Sequence, residues 1–226
     1  MENDGAADTK TYKPETDARH FRDVTTAYAL FLAISLFGLL LYRFHPDSQL
    51  VLLAVLLVPY PVAFLAALGL RAAGHPRFPL GGARDALTRH AMLWTLAISA
   101  VGAWLAFRGE FGAHSAGHRI AKFFTYSVAD PLAEEFVFRG IIQTSLNFTF
   151  LGTHKVGGLQ GGTIAAAALF AIMHFLNLVG NTSLLATLVE AVTAFPAALL
   201  FGYIYQRTQN IWYGVFLHGL SNLVMA

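Results

Sequence analysis

The chain has 226 residues, of which 56% are hydrophobic and only 12% are charged. Because soluble domains carry about 25% charged residues, this composition excludes an ordinary soluble domain and indicates a polytopic membrane protein surrounded by the lipid bilayer. The net charge of +2 is small and the basic residues lie beside apolar runs, so no nucleic-acid partner is expected, and the absence of cysteine excludes disulfides, thiolate chemistry and cysteine metal sites.

The first 23 residues are polar and mixed in charge. A cleaved signal peptide would instead have a short basic start, an apolar core and a small-residue cleavage site. We therefore expect a disordered or surface-lying cytoplasmic tail over residues 1–23. A single transmembrane domain is predicted over residues 24–226, with its first apolar run serving as an uncleaved anchor.

Seven apolar stretches follow the tail, and a helix needs about 20 such residues to cross a bilayer. The predicted spans are Val24–Tyr42, Gln49–Leu70, Ala91–Phe107, Phe123–Phe150, Thr163–Val179, Leu184–Tyr205 and the short Ile211–Ala226. The sequence thus predicts an all-α, polytopic transmembrane helix bundle of about seven spans. Glycine-rich residues 152–162 are predicted to form a loop, and residues 180–183 a tight turn.

The fourth stretch allows two local structures. Pro131 suits the first turn of a helix and Asp130 suits its N-cap, so a helix could begin there after a re-entrant or interfacial approach. Alternatively, one helix runs through the whole stretch with a kink at the proline. The sequence leaves both possibilities open.

Lysine and arginine placement in the short loops predicts the orientation. Four basic residues precede the first span and four arginines lie between the second and third, although the opposite side also carries basic residues. This bias favours a cytoplasmic N-terminus and an external C-terminus. The compact size further favours an integral protein of a prokaryotic plasma membrane.

Several ionisable or amide side chains lie inside these apolar stretches, where they are expensive unless paired or functional. Glu135 and Arg139 are four residues apart and can pair along one helix face. Glu134 lies about 100° round the helix from Glu135, so its carboxylate can face a cavity. The same four-residue spacing relates two further pairs, which are Phe170 with His174 and His218 with Asn222.

If the spans carrying His174 and His218 start on the cytoplasmic side, both imidazoles can meet Glu134 at a similar depth in the membrane. Burial disfavours an ionised glutamate and a nearby arginine favours it, so the two together can produce a base that works near neutral pH. This combination predicts peptide hydrolysis by an activated water, with His174 sharing the water or passing its proton to the leaving amine. His218 and Asn222 would donate hydrogen bonds to the developing oxyanion.

Three motifs in this order resemble those of the CAAX protease and bacteriocin-processing family of intramembrane glutamic proteases. They are Glu134-Glu135-x-x-x-Arg139, Phe170-x-x-x-His174 and His218-x-x-x-Asn222, within about residues 130–226. The resemblance implies a helical bundle and an endopeptidase that needs no cofactor or metal and acts on a membrane-associated protein or peptide. It implies that Glu134 and His174 activate water, and that His218 and Asn222 form the oxyanion hole. The other motif residues are expected to support the site.

Three alternatives remain open at this stage. Glu134, His174 and His218 could instead supply a zinc site with two histidines and one carboxylate. The fold could belong to a non-proteolytic immunity or peptide-binding protein, or to a transporter in which Glu190 joins a proton relay. The sequence leaves the substrate, the oligomeric state and the role of Glu190 undetermined.

Overall fold

The computed structural model describes residues 14–44, 65, 68, 69, 124–180 and 182–225, and this part of the chain is almost entirely helical. Helix α1 comprises Pro14–Phe44. It contains the predicted first span and also reaches ten residues into the polar segment before it. Residues 14–23 are therefore helical, which favours the surface-lying alternative over disorder, and proline at the first helical position suits the start of a helix.

Helix α2 covers residues 125–147 in four consecutive segments. These are π-helical Thr125–Ala129, α-helical Asp130–Glu135, π-helical Phe136–Gln143 and α-helical Thr144–Asn147. Pro131 thus lies inside a continuous helix, and Asp130 does not cap a new one. The wider π turn before Pro131 gives its ring room, because proline lacks the N–H that a regular α-helix would use there.

The segment between α2 and the next long helix is more ordered than the predicted loop. It contains the short helix α3, Phe150–Thr153, and a two-stranded antiparallel hairpin of β1, Lys155–Val156, and β2, Leu159–Gln160. Gly157 and Gly158 form its turn with φ of 57° and 84°. Two consecutive positive φ angles favour a Gly-Gly turn between paired strands.

Helix α4, Gly161–Met173, continues into a 3-10 turn, His174–Leu178. Helix α5, Leu184–Thr208, runs without interruption through Pro196, and α6 comprises Ile211–Met225. The extended helices match the predicted fifth, sixth and seventh stretches to within a few residues.

Three helical segments of the described residues are long and apolar enough to cross a membrane, namely Asp17–Leu41, Gly161–Leu178 and Leu184–Thr208. Helix α6 has only 15 residues. The predicted span Ala91–Phe107 and nearly all of Gln49–Leu70 lie outside the described residues. The structure therefore supports an all-α membrane protein, whereas the number of seven spans stays a prediction.

An aromatic cluster joins α1, α2 and α4 at the centre of the described core. The ring of Phe138, which is fully buried, packs edge-on against Phe31 at 5.7 Å and against Phe170 at 5.0 Å between centroids. Tyr28 packs against the same ring and donates its hydroxyl hydrogen to the carbonyl oxygen of Leu169 at 3.0 Å. Each edge-to-face pair of this kind stabilises the fold by about 0.5–1.5 kcal/mol beyond the contribution from burying its apolar surface.

A polar cluster links α2 to α4 and α5 near the C-terminal end of α2. The buried Gln143 Nε2 donates to Thr163 Oγ1 at 3.1 Å and to the carbonyl oxygen of Gly202 at 2.8 Å. The Thr163 hydroxyl in turn donates to Gln206 Oε1 at 3.0 Å. Because lipid offers no competing water, such interhelical hydrogen bonds fix the relative register of the helices.

Candidate active site

The predicted ion pair on α2 is present and completely buried. Arg139 Nε donates to Glu135 Oε2 at 3.1 Å, and neither side chain is exposed. Within the described part of the chain, the two terminal nitrogens of Arg139 have no hydrogen-bond partner. The guanidinium carbon instead lies 5.5 Å from the ring centroid of Phe170. The four-residue spacing therefore predicts this contact correctly.

His218, on α6, lies between the two adjacent glutamates of α2. Its Nδ1 is 3.2 Å from Glu135 Oε1 and its Nε2 is 3.5 Å from Glu134 Oε2. Because the arginine keeps Glu135 as a carboxylate, which only accepts hydrogen bonds, His218 Nδ1 carries a hydrogen and donates it. Glu135 thus bridges Arg139 and His218, a second contact that spacing along one helix cannot reveal.

Glu134 is only 7% exposed. Asp130, four residues earlier on α2, is also buried. Residues four apart on a helix lie on the same face, so the carboxyl groups of Asp130 and Glu134 are neighbours. The structure therefore brings a third carboxyl group to the site, which sequence reasoning considered only as a helix cap.

Close approach of α6 to α2 depends on two glycines. A Cβ atom at Gly214 would collide with Glu135 Oε2, and one at Gly219 would collide with the carbonyl oxygen of Ser127. The two glycines lie on either side of His218 along α6. Only a residue without a side chain lets the backbone of α6 come near enough to α2 for the imidazole to reach both glutamates.

His174 begins the 3-10 turn that follows α4, and it is half-buried. Its Nδ1 lies 3.0 Å from the carbonyl oxygen of Phe170. A carbonyl oxygen only accepts, so Nδ1 is the hydrogen-bearing nitrogen, and in the neutral ring Nε2 has a free lone pair. The hydrogen bond thus leaves His174 suited to accept a proton.

Aromatic rings surround both histidines. Phe170 packs against His174 at 5.1 Å and against His218 at 5.6 Å between centroids, so one ring lies against both imidazoles. Phe201, on α5, stacks on His218 at 5.6 Å with an interplanar angle of 29°. The packing of Phe170 beneath His174 is as predicted. The position of Phe201 was missed, because no sequence periodicity relates α5 to α6.

Asn222 lies one turn after His218 and reaches α2 through a different contact. Its Nδ2 donates to the carbonyl oxygen of Tyr126 at 3.0 Å, in the first π-helical segment. This bond uses one of the two amide hydrogens, so the second is available to another acceptor. The structure therefore places Asn222 on the same helix as His218, with its side chain anchored to α2.

Metal binding receives no geometric support within the segments that the structure describes. No group of three or more His, Asp or Glu side chains there is placed so that it could hold a metal ion. In particular, His174 does not join Glu134 and His218 in such a group. The zinc alternative is left to a chelator experiment.

Comparison with known proteins identifies the family of this part of the chain. Residues 116–224 match the family model described as type II CAAX prenyl endopeptidase Rce1-like. No curated protein and no solved structure matches the chain. The matched range contains all three motifs, and it confirms the resemblance to CAAX protease and bacteriocin-processing proteins. The chain carries an Rce1-like domain and is an integral membrane protein.

Proposed function

We propose that this Rce1-like protein is an intramembrane endopeptidase that cleaves a membrane-proximal or hydrophobic protein segment with a glutamate-activated water. The family match supports a CAAX-type protease with a protein substrate in the membrane. The observation that carries the mechanism is the position of His218, whose two nitrogens face Glu134 and Glu135 at 3.5 and 3.2 Å. Neither a scaffold nor a simple ion pair requires an imidazole held between two adjacent carboxyl groups.

Water activation is the task of Glu134 and His174. The attacking water gives a proton to the Glu134 carboxylate while its oxygen adds to the scissile carbonyl carbon. The proton then passes to the leaving amide nitrogen by way of His174, and the C–N bond breaks. The hydrogen bond from Nδ1 to the Phe170 carbonyl keeps the other nitrogen of His174 ready for this transfer.

Oxyanion stabilisation is the task of His218 and Asn222. With Nδ1–H donated to Glu135, a protonated His218 presents Nε2–H to the oxygen that becomes negative in the tetrahedral intermediate. The second amide hydrogen of Asn222 is the other donor. Removing one donor from an oxyanion hole typically lowers kcat by about 10²–10³. Glu135, which the sequence suggests only as a partner of Arg139, gains the role of stabilising the His218 cation.

The substrate class follows from the family and from the site's surroundings. The described helices around the site are apolar and bring aromatic rings to it, so we expect the scissile segment to enter from the membrane or from its surface. Prenylated C-terminal tails, leader peptides and C-terminal sorting signals all fit this requirement. For a prokaryotic protein, leader peptides and sorting signals are the favoured substrates.

The proposal is tested by comparing the membrane proteomes of cells that carry the wild type, Glu134→Ala, or the control Leu185→Ala on the exposed face of α5. We expect an uncleaved precursor to accumulate with Glu134→Ala and not with the control. If no precursor accumulates and Glu134→Ala supports the full biological role, the protein acts by binding and the protease proposal fails.

A further inference from the structure

Glu190 is an ionisable residue in the second turn of the apolar helix α5, outside the three motifs. Its Oε2 accepts a hydrogen bond of 2.7 Å from Asn177 Nδ2, and the two side chains are partly buried. Placing a carboxylate within an apolar membrane helix costs free energy, so such residues are usually paired or functional. The hydrogen bond to Asn177 connects Glu190 to the turn that follows α4.

Asn177 lies at the corner between the α4 end and α5. Its backbone carbonyl oxygen accepts from the amides of Gly180 at 3.0 Å and Thr182 at 3.1 Å. It also belongs to the 3-10 turn that begins with His174. By accepting the hydrogen bond from Asn177, Glu190 fixes this turn to α5. The same turn carries His174, the proposed proton-transfer residue.

The Glu190 carboxylate also lies beside the turn that carries His174. Asn177 lies three residues after His174, and residues three apart in a 3-10 helix share one face, so the carboxylate bound to Asn177 lies on the side of the turn that carries His174. His218, which packs against the same Phe170 ring as His174, is held between two glutamates, whereas Glu190 is paired only with the neutral amide of Asn177 among the described residues. The carboxylate of Glu190 is therefore the group placed to stabilise a positive charge on His174.

We propose that Glu190 is a positioning residue for His174. Glu190 holds the turn of His174 in place through Asn177, and its carboxylate stabilises the imidazolium that forms on His174 during proton transfer. In that step the water O–H bond breaks, the proton moves to Glu134 and then to His174 Nε2, and it leaves on the amide nitrogen as the peptide bond breaks. The inference rests on the proposed function. It adds to the site two residues outside the motifs, Asn177 and Glu190.

Glu190→Gln separates charge from structure, because the glutamine oxygen can still accept from Asn177. We expect kcat to fall about tenfold with KM unchanged, because a neighbouring charge in a partly exposed setting contributes on this scale. Glu190→Asp, which keeps the charge, should recover part of the loss. Thr193→Ala, one turn further along α5 and exposed, is the matched control and should keep wild-type kcat.

The second measurement does not depend on activity. In protein labelled at histidine, the titration midpoint of the His174 ring is followed by NMR in the wild type, Glu190→Gln and Thr193→Ala. A change of the midpoint in Glu190→Gln alone supports the inference, even if Glu134→Ala shows the proposed protease mechanism to be wrong. A wild-type midpoint in Glu190→Gln overturns it. So does a wild-type kcat per folded molecule, which would leave Glu190 a purely structural hydrogen bonder.

Discussion

The two contacts of Glu135 can be separated by a pair of substitutions. Glu135→Gln keeps the size of the side chain and removes its charge, while Arg139 stays completely buried. Leaving a buried charge without its partner costs about 3–5 kcal/mol. The free energy of unfolding of Glu135→Gln should therefore fall by about that amount.

The second contact predicts an independent loss of activity. The carboxylate accepts from His218 Nδ1 at 3.2 Å, and a hydrogen bond to a charged group contributes about 1.5–3 kcal/mol. Because 1.36 kcal/mol changes a rate tenfold, kcat per folded molecule should fall by about 10- to 150-fold. The loss reflects a less stable His218 cation in the transition state.

The double variant Glu135→Gln/Arg139→Met distinguishes these effects. Methionine removes the unpaired charge and can still pack against the Phe170 ring, so most of the lost unfolding free energy should return. The activity should remain low, because His218 still lacks a carboxylate. Thermal unfolding in detergent and kcat on the same samples provide the assay. If the double variant regains wild-type kcat, Glu135 serves only to neutralise Arg139, and the proposed role at His218 is wrong.

Three further predictions concern packing and metal independence. Gly214→Ala should cost about 1–3 kcal/mol of unfolding free energy and lower kcat, because the new Cβ meets Glu135 Oε2; wild-type values of both would contradict the close approach of α6. Gln143→Ala should cost about 1–3 kcal/mol by removing the bonds to α4 and α5, as measured by thermal unfolding, with kcat per folded molecule unchanged. A chelator series should leave activity intact, whereas a loss that zinc restores would support the zinc alternative.

Contacts within one helix could be predicted from the sequence. Glu135 with Arg139, and Phe170 with His174, are each four residues apart, and the helical repeat places them together whatever the rest of the fold does. The apolar runs also located α1, α4 and α5. These features depend on local geometry and composition, which a single sequence displays directly.

The sequence predicted that His218 could meet Glu134, but most other contacts between helices could not be predicted from it. His218 with Glu135, Phe201 with His218, and Asn177 with Glu190 depend on how closely and at what rotation two helices pack. No periodicity encodes these quantities. Glycine at position 214 was visible, but it indicates a close approach only once the facing side chain is known. The Gly-Gly turn at 157–158, by contrast, carried a hairpin signal that its short strands obscured.

The most direct test of the central claim uses purified protein in lipid vesicles with the precursor identified in the membrane proteome. Cleavage is followed by mass spectrometry for the wild type and for Glu134→Gln, which preserves the shape of the side chain and cannot accept the proton of the water. General-base catalysis typically contributes 10²–10⁴-fold, so the variant should cleave about 10²–10⁴ times more slowly at the same bond. Cleavage by Glu134→Gln at a rate within about threefold of the wild type would show that Glu134 does not activate the water.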